Sequence, residues 1–186
     1  MKSSWKTRIA WNTPLKYIEA ARVVMGGIDL DPATDVDAQA RIQASKYHTI
    51  EDDGLVQDWA GRVWLNPPYT PIEKLRAFAR KAMDELGHGA VTQLIFMTNT
   101  ECTWVEWFQE LGRKCDALCF HHGRVEWEAG HKAWMMDVDG VTKLPVPLEL
   151  NLAIEAEYSI HGSVFFYFGH NGARFRQIFS QWGFVK

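Results

Sequence analysis

The segment Val63–Thr70, Val-Trp-Leu-Asn-Pro-Pro-Tyr-Thr, constrains the fold of this chain most strongly. Its three leading apolar residues predict a short buried strand. The two prolines end that strand, because proline has no N–H to donate to a sheet ladder. Thr70-Pro71-Ile72-Glu73 then predicts a helix start, with Thr70 as N-cap and Glu73 completing a capping box. Strand, rigid polar turn and helix together predict an open α/β sheet with a functional group at the carboxyl end of a strand.

The turn contains groups that could bind and activate an aromatic amine; its residues are Asn66, Pro67, Pro68 and Tyr69. An amine on an aromatic ring, such as the exocyclic amine of adenine, is a weak nucleophile because its lone pair is delocalised. The Asn66 side-chain oxygen and the Pro67 carbonyl could accept its two hydrogens, and Tyr69 could stack on the ring. This catalysis works by positioning and fixed dipoles. An ordinary Asn-Pro turn is the alternative, but the full sequence is rarer by chance and favours a catalytic site.

Asn-Pro-Pro-Tyr resembles the catalytic motif of amino-methyltransferases that use S-adenosylmethionine. The chain as a whole resembles the phage-type DNA N6-adenine methyltransferase (Dam-like) family. The matching stretches follow one another over nearly the whole chain: Trp11–Pro14, Gly26–Ala33, Asp53–Leu55, Gly61–Tyr69, Gly123-Arg124 and Gly162-Ser163. The resemblance implies methyl transfer from S-adenosylmethionine to the N6 amine of adenine in DNA, with catalytic residues at Asn66 to Tyr69 and no metal.

The segment Ile28–Pro32 alternates apolar and acidic residues and then breaks, which predicts a strand that ends in carboxylates. Such a carboxylate can accept hydrogen bonds from an ammonium or from ribose hydroxyls. The usual glycine-rich turn is missing after Asp31, so Pro32-Ala33-Thr34 would have to approach the cofactor. The resemblance implies cofactor-binding roles for Trp11, Thr13, Pro14, Asp29, Asp31, Pro32 and Asp53. Hydrophobic packing of Trp11 and a solvated acidic loop around Asp53 are open alternatives.

The alternation of strand-like and helix-like segments predicts one α/β domain over residues 1–186, a mostly parallel Rossmann-like sheet with helices on both faces and a β-hairpin edge. Residues 1–10 read as a mobile tail. Asp139-Gly140 predicts the turn of a hairpin within residues 130–158. That insertion is a candidate for target recognition, and a structural extension or an oligomer contact is about equally open. Asn99 and Glu101 follow another strand, where they could face the target base.

The composition is consistent with a single domain that acts on DNA. A chain of 186 residues with 47% hydrophobic residues can bury one core. Its net charge of −3 does not exclude nucleic acid, because a local basic face decides such binding. No apolar run is long enough for a membrane span and no secretory pattern is present. We therefore expect a cytoplasmic protein, in a bacterial host if a phage encodes it, as a monomer or homodimer.

Two residue clusters carry open alternatives. Cys115, Cys119, His121 and His122 invite a zinc site, but strand alternation turns His122 to the other face, so buried thiols are favoured. Basic residues beside the apolar stripe of the predicted helix after Thr70 could touch phosphate, although a solvated face is favoured. They are Lys74, Arg76, Arg80 and Lys81.

Two rival functions remain compatible with the sequence. An enzyme with the same cofactor could act on adenine in RNA or on a glutamine side chain of a protein. A catalytically silent DNA-binding module is the other rival, and the missing glycine-rich turn is its main support.

Overall fold

The computed structural model describes residues 6–136, 143–145 and 161–186, and only the backbone of residues 6–11, 128–136 and 143–145. The strands are β1 (Lys6–Asn12), β2 (Leu30–Asp31), β3 (Lys46–Tyr47), β4 (Gly61–Leu65), β5 (Val91–Asn99), β6 (Ala117–His121), β7 (Glu128–Met136), β8 (Lys143–Pro145), β9 (Ser163–Phe168) and β10 (Gly183–Val185). The α-helices are α1 (Leu15–Met25), α2 (Val36–Ile42), α3 (Ile72–His88), α4 (Glu106–Lys114) and α5 (Gly172–Phe179).

A seven-stranded sheet in the order β10-β6-β9-β5-β4-β2-β3 forms the centre of the domain. Strands β3, β2, β4 and β5 are parallel, β9 runs antiparallel between β5 and β6, and β10 is antiparallel to β6. This arrangement confirms the predicted α/β domain with a mostly parallel, Rossmann-like sheet. Because β2, β4 and β5 are parallel, their carboxyl ends meet at one edge, and the turn that begins at Asn66 lies there.

The two-residue period of the strands divides the core into two layers. In β4, Trp64 packs with α1 and α5, whereas Val63 and Leu65 pack with α3 and α4. The first layer includes Ile18, Val24, Trp64, Ile95, Met97, Phe165, Tyr167, Phe175 and Phe179. The second includes Val63, Leu65, Leu75, Phe78, Leu94, Phe96, Phe108, Leu111 and Phe166. Helices on both faces of the sheet are thereby confirmed.

A separate three-stranded antiparallel sheet has the order β1-β7-β8. The predicted hairpin therefore does not extend the edge of the main sheet, since β7 pairs with β1 and β8 instead. Its predicted turn, Asp139-Gly140, lies outside the described residues, as does most of the 130–158 insertion. Residues 6–12 form β1, where the sequence predicted a tail over residues 1–10. No helix of the described ranges has the length and hydropathy to cross a membrane.

Several local predictions at helix starts are wrong. The N-cap of α3 is Pro71, whose backbone is extended (φ −68°, ψ 156°), so Thr70 and Glu73 form no capping box. Gly87 is also a predicted stop for this helix, but the helix ends at Gly89, in the left-handed region with a φ of 80°. Asn171 is the predicted N-cap of the final helix; it does precede α5, but its side chain donates to the Val24 carbonyl and to Gln93 Oε1 and does not cap the helix.

Two further sequence patterns predict elements that the structure forms differently: a helix capped by Thr100 that carries Trp104, Trp107, Phe108 and Leu111, and an alternating strand over Val125–Glu128. The segment from Thr100 to Cys102 forms a 3-10 turn, and α4 begins only at Glu106. Trp104, which the sequence placed on the buried stripe of a helix, lies between these two elements and is 82% exposed. The predicted strand over Val125–Glu128 is replaced by β7, which starts at Glu128.

Candidate active site

A cavity of about 640 Å³ opens at the carboxyl ends of β2 and β4. We call it the acidic cavity, because its lining contains four carboxylic acids and no lysine, arginine or histidine. Its volume lies within the usual range for small-molecule sites, about 300–1,000 Å³. The lining comprises Asn12, Thr13, Asp31, Ala33, Thr34, Asp35, Val36, Asp37, Ala38, Ile42, Thr49, Ile50, Glu51, Trp64, Asn66 and Pro68.

Asn66 lines this cavity and is held by hydrogen bonds at both ends of its side-chain amide. Its Nδ2 donates to Thr13 Oγ1 at 2.9 Å, and its Oδ1 accepts from the Tyr69 hydroxyl at 2.9 Å. Thr13 is buried and follows β1, so the second sheet supplies the group that orients the amide. A carbonyl oxygen has two lone pairs, so Oδ1 can accept a second hydrogen bond.

Tyr69 lies on the wall between the acidic cavity and a second, larger depression. Its ring packs edge-on against Trp127, with centroids 6.4 Å apart and an interplanar angle of 74°. Burial raises the pKa of its hydroxyl, which stays protonated and donates to Asn66. Tyr69 lines the second depression, about 1,130 Å³ in volume, whereas Asn66 and Pro68 line the acidic cavity. Pro67 is buried between them. The predicted catalytic residues therefore connect two separate spaces.

Asp31 is the one predicted cofactor-binding acid that lines the acidic cavity, and it is 2% exposed. Its Oδ1 accepts from the Ala33 N–H at 3.1 Å, and Gln39 Nε2 lies 3.5 Å from its Oδ2. Desolvation raises the pKa of Asp31 to about 7, because these hydrogen bonds compensate burial of the charge only in part. A cationic ligand group would restore the ionised form.

Asp29 does not line the cavity, although it lies only two residues before Asp31. Its two oxygens accept three hydrogen bonds from Arg62, from the backbone N–H, Nε and Nη2, at 2.6–2.8 Å. The guanidinium lowers the pKa of Asp29. The pair joins the start of β2 to the start of β4, the opposite end of the strands from Asn66. Its observed role is to fix two strands together.

The acidic loop after β3 supplies Glu51 to the cavity rather than Asp53. Asp53 is exposed and lines a smaller neighbouring cavity of about 120 Å³, and its Oδ1 accepts from the Leu55 N–H at 3.3 Å. Gly54 is what brings this loop to the end of β2, since a Cβ there would lie 1.9 Å from the Pro32 carbonyl oxygen. The Asp53-Gly54-Leu55 pattern is therefore explained by the close contact between Gly54 and the Pro32 carbonyl.

The remaining predicted cofactor residues have different positions. Ala33 and Thr34 line the acidic cavity, and Pro32 lines the smaller one, so the turn that replaces a glycine-rich loop does face the cavities. Thr13 lines the acidic cavity and Pro14 is buried behind it. Trp11 belongs to β1, and its side chain lies outside the described part of the structure.

The comparisons with known proteins agree with this geometry. The family model described as DNA N-6-adenine-methyltransferase (Dam) matches residues 2–150, which is most of the chain. The chain belongs to this family. No curated protein matches it. The match spans the strand ends that form the acidic cavity, the Asn66–Tyr69 turn and the lining of the second depression apart from His161.

The acidic cavity of this Dam-family protein fits the cofactor that a methyltransferase implies. S-adenosylmethionine carries a sulfonium and an ammonium against one carboxylate, so it has a net positive charge, which a lining with four carboxylic acids would attract. Trp64 Nε1 is buried at the wall without a hydrogen-bond partner among the described residues. Apolar side chains, including Ile42 and Ile50, line the remaining wall for a purine ring.

Sequence reasoning did not single out several residues that line this cavity, although Asn12 lies within the Trp11–Pro14 stretch of the resemblance and Glu51 within the acidic loop that carries Asp53. Asn12, Asp35, Asp37 and Glu51 all contribute polar groups to it. Asp35 caps α2 by accepting from the Ala38 N–H at 2.8 Å, so its position could have been read from an N-cap pattern before Val36. Asn12 and Glu51 carry no comparable local signal, because only the packing of β1 and of the acidic loop brings them to the cavity.

Proposed function

We propose that this protein transfers a methyl group from S-adenosylmethionine to the exocyclic N6 amine of adenine in DNA. The observation that carries the proposal is the Asn66–Tyr69 turn, in which Asn66 lines an acidic cavity large enough for the cofactor and Tyr69 lines a second depression that a base could enter. The family match over residues 2–150 supports the substrate and the reaction.

The residues of the acidic cavity would hold S-adenosylmethionine, which supplies a methyl group on a positively charged sulfur. The Asp31 carboxylate would accept from the ammonium of the methionine part, and Glu51 would accept from a ribose hydroxyl. Trp64 Nε1 offers an additional donor in the wall. None of these roles requires a metal ligand set, since methyl transfer from a sulfonium needs no further electrophile.

Asn66 and Tyr69 would act on the target adenine. Asn66 Oδ1 can accept one hydrogen of the amine, and the Pro67 carbonyl is the proposed acceptor of the other. These two acceptors would favour a pyramidal nitrogen with a localised lone pair, in the manner of preorganised dipoles. The Tyr69 ring would clamp the purine after extrusion from the duplex. Thr13 holds the Asn66 amide so that Oδ1, rather than Nδ2, points away from β1.

The direct test offers the protein three acceptors, unmethylated duplex DNA, RNA and bulk protein, each with radiolabelled S-adenosylmethionine. We expect label in DNA alone, recovered after digestion as N6-methyladenine. Label in RNA adenine or in glutamine would show that RNA or protein, and not DNA, is the acceptor. A preparation with Asn66→Ala serves as the background control, and Gln181→Ala, which removes an exposed carboxamide elsewhere, serves as the matched control.

A silent DNA-binding module is distinguished by calorimetry with S-adenosylmethionine. The proposed enzyme should release measurable heat on binding the cofactor, and a silent module should not.

The cysteines and the proposed substrate both bear on the cellular compartment. A protein that modifies DNA must share a compartment with DNA, and three unpaired thiols fit a reducing cytoplasm. We therefore propose the cytoplasm as the site of action.

A further inference from the structure

The second depression, between α3 and α4, has the chemistry of a nucleic-acid surface. It is about 1,130 Å³ in volume and opens at Tyr69, on the opposite side of the Asn66–Tyr69 turn from the acidic cavity. We call it the α3–α4 groove. Its lining comprises Tyr69, Thr70, Ile72, Glu73, Arg76, Arg80, Asn99, Glu101, Cys102, Trp104, Val105, Glu106, Trp107, Glu110 and His161.

Four glutamates and two arginines line the groove, but three of the glutamates already contact a basic side chain. Glu101 pairs with His161 at 2.6 Å, Glu106 with Arg113 at 2.5 Å and Glu110 with Lys114 at 2.5 Å. In contrast, Arg76 and Arg80 are exposed and form no ion pair within the described residues. Arg113 and Lys114 thus compensate two of the glutamates, whereas no acid of the described residues pairs with Arg76 or Arg80, so these two guanidiniums are available to a polyanion.

The two arginines lie one helical turn apart on the groove side of α3. A rise of about 1.5 Å per residue separates positions 76 and 80 by about 6 Å along the helix axis. Both guanidiniums can therefore reach successive phosphates of one strand. Arginine is suited to this contact because its planar group binds phosphate oxygens bidentately.

Trp104 is the second independent feature of the groove. Its side chain is 82% exposed, whereas Trp59, Trp64, Trp107 and Trp127 are each at most 9% exposed. It follows the 3-10 turn that Asn99 caps, at the same end of the sheet as Tyr69. An exposed indole beside two free arginines offers a stacking platform for a base, and each such stack stabilises binding.

We propose that the α3–α4 groove holds the DNA strand beside the target adenine, with Arg76 and Arg80 on its phosphates and Trp104 stacked on a neighbouring base. This inference rests on the proposed function and names the surface that the substrate uses. Phosphate contacts give affinity and register, and the Trp104 stack replaces part of the stacking that the duplex loses when the adenine leaves it.

The arginine contacts are tested by the salt dependence of DNA binding. The probe is a fluorescent, unmethylated duplex of mixed sequence, titrated with protein at NaCl concentrations from about 50 to 200 mM. Each lost phosphate contact lowers the slope of log K against log[salt] by about 0.9. The double variant Arg76→Gln with Arg80→Gln should therefore lower that slope by about 2. A slope equal to that of the wild type would overturn the phosphate assignment.

Arg174→Gln is the matched control, because it removes an exposed arginine from α5, on the opposite face of the sheet. It should retain the slope of the wild type. An equal effect of Arg174→Gln would mean that net charge alone sets affinity and would count against a defined groove. Cofactor binding to the double variant should remain unchanged, because neither arginine lines the acidic cavity.

The stacking role is tested by Trp104→Ala and Trp104→Phe. Loss of one base stack should weaken binding of the same duplex about tenfold in Trp104→Ala. The phenylalanine variant should recover most of that loss. Methyl transfer by Trp104→Ala should also fall further on duplex than on single-stranded DNA, where the target base is already unpaired. Equal losses in both variants, or unchanged binding in Trp104→Ala, would overturn the stacking assignment.

The two proposals can fail separately. A wild-type protein that methylates no adenine in DNA refutes the proposed function, whatever the salt titrations give. A wild-type protein that methylates DNA, together with groove variants that bind and react normally, refutes only the groove assignment.

Discussion

The acidic cavity and the α3–α4 groove lie on opposite sides of one four-residue turn and differ in charge. The cavity has four carboxylic acids and no basic group in its lining. The groove has two arginines without an ion-pair partner among the described residues, and two of its carboxylates pair with Arg113 and Lys114. A cationic small molecule and a polyanion would be sorted to different sides by electrostatics alone. Asn66 lines the cavity and Tyr69 lines the groove, and the hydrogen bond between their side chains joins the two spaces.

The strongest test of this comparison is to remove the Asn66 side chain, which lies at the turn between the cavity and the groove, while both ligands can still bind. Asn66→Ala should lower the single-turnover rate of methyl transfer about 10²- to 10³-fold, the usual cost of deleting one preorganised dipolar contact. Affinities for S-adenosylmethionine and for DNA should each change less than about threefold. Quench-flow measurement of transfer checks the rate, and an unaltered rate would disprove the assigned role of Asn66.

Asp31→Asn should weaken cofactor binding in the acidic cavity and leave DNA binding in the groove unchanged. It removes a buried carboxylate that lines the cavity while leaving an acceptor of similar shape, so cofactor affinity should fall about 10- to 100-fold. DNA affinity measured by anisotropy should stay as in the wild type. If both affinities fell together, the two spaces would not be independent. Asp58→Asn, at an exposed acid outside the cavity, is the matched control.

The pH dependence of cofactor binding also tests whether the ionised Asp31 carboxylate binds the cofactor in the acidic cavity. Burial raises the pKa of Asp31 to about 7, so its protonated form predominates below that pH and must ionise to accept from an ammonium. The association constant should therefore rise up to tenfold per pH unit from about pH 5.5 and level near pH 7. Calorimetry of Asp31→Asn should show no such rise, and a flat wild-type profile would contradict the assignment.

The same pKa has a consequence for stability of the ligand-free protein. Between about pH 4 and 7 the folded chain retains a proton on Asp31 that the unfolded chain has released. The free energy of unfolding should therefore fall as the pH rises through that window, and Asp31→Asn should remove this contribution. Urea unfolding at several pH values measures it.

Two variants of Tyr69 separate the contribution of its ring from that of its hydroxyl. Tyr69→Phe keeps the ring, and loses only the hydrogen bond to Asn66 Oδ1, so transfer should fall less than about threefold. Tyr69→Ala removes the proposed clamp and should reduce transfer about tenfold or more. Equal losses in both variants would assign the effect to the hydroxyl, and steady-state kinetics on duplex DNA decides between the two.

The smallest effect is expected at Asp29. Asp29→Asn weakens a pair with Arg62 that is about one-third exposed at each side chain, so the loss of stability should be about 1 kcal/mol. Cofactor affinity should change less than about twofold, because Asp29 does not line the cavity. A tenfold loss of cofactor affinity, measured by calorimetry, would show that this carboxylate reaches the ligand after all.

Local patterns predicted the scaffold of the site well. The apolar run Val63–Leu65, the prolines after it and the amphipathic pattern of α3 placed a turn at the end of a buried strand, and the structure confirms that arrangement. The α3 capping box was wrong, because the extended conformation of Pro71 delays the helix start by one position. Such boundaries depend on backbone angles that residue type constrains only loosely.

The sequence by itself determined the buried strand before Asn66, the helix after the turn and the faces of β4 that are buried, because a period of two follows from strand geometry and hydrophobicity alone. Only the tertiary structure decided that Asp31 faces the cavity while Asp29 pairs with Arg62, and that Glu51 rather than Asp53 lines it. It also decided that Thr13 holds the side chain of Asn66, 53 residues away. These choices depend on which distant segments pack together, and no local pattern carries that information.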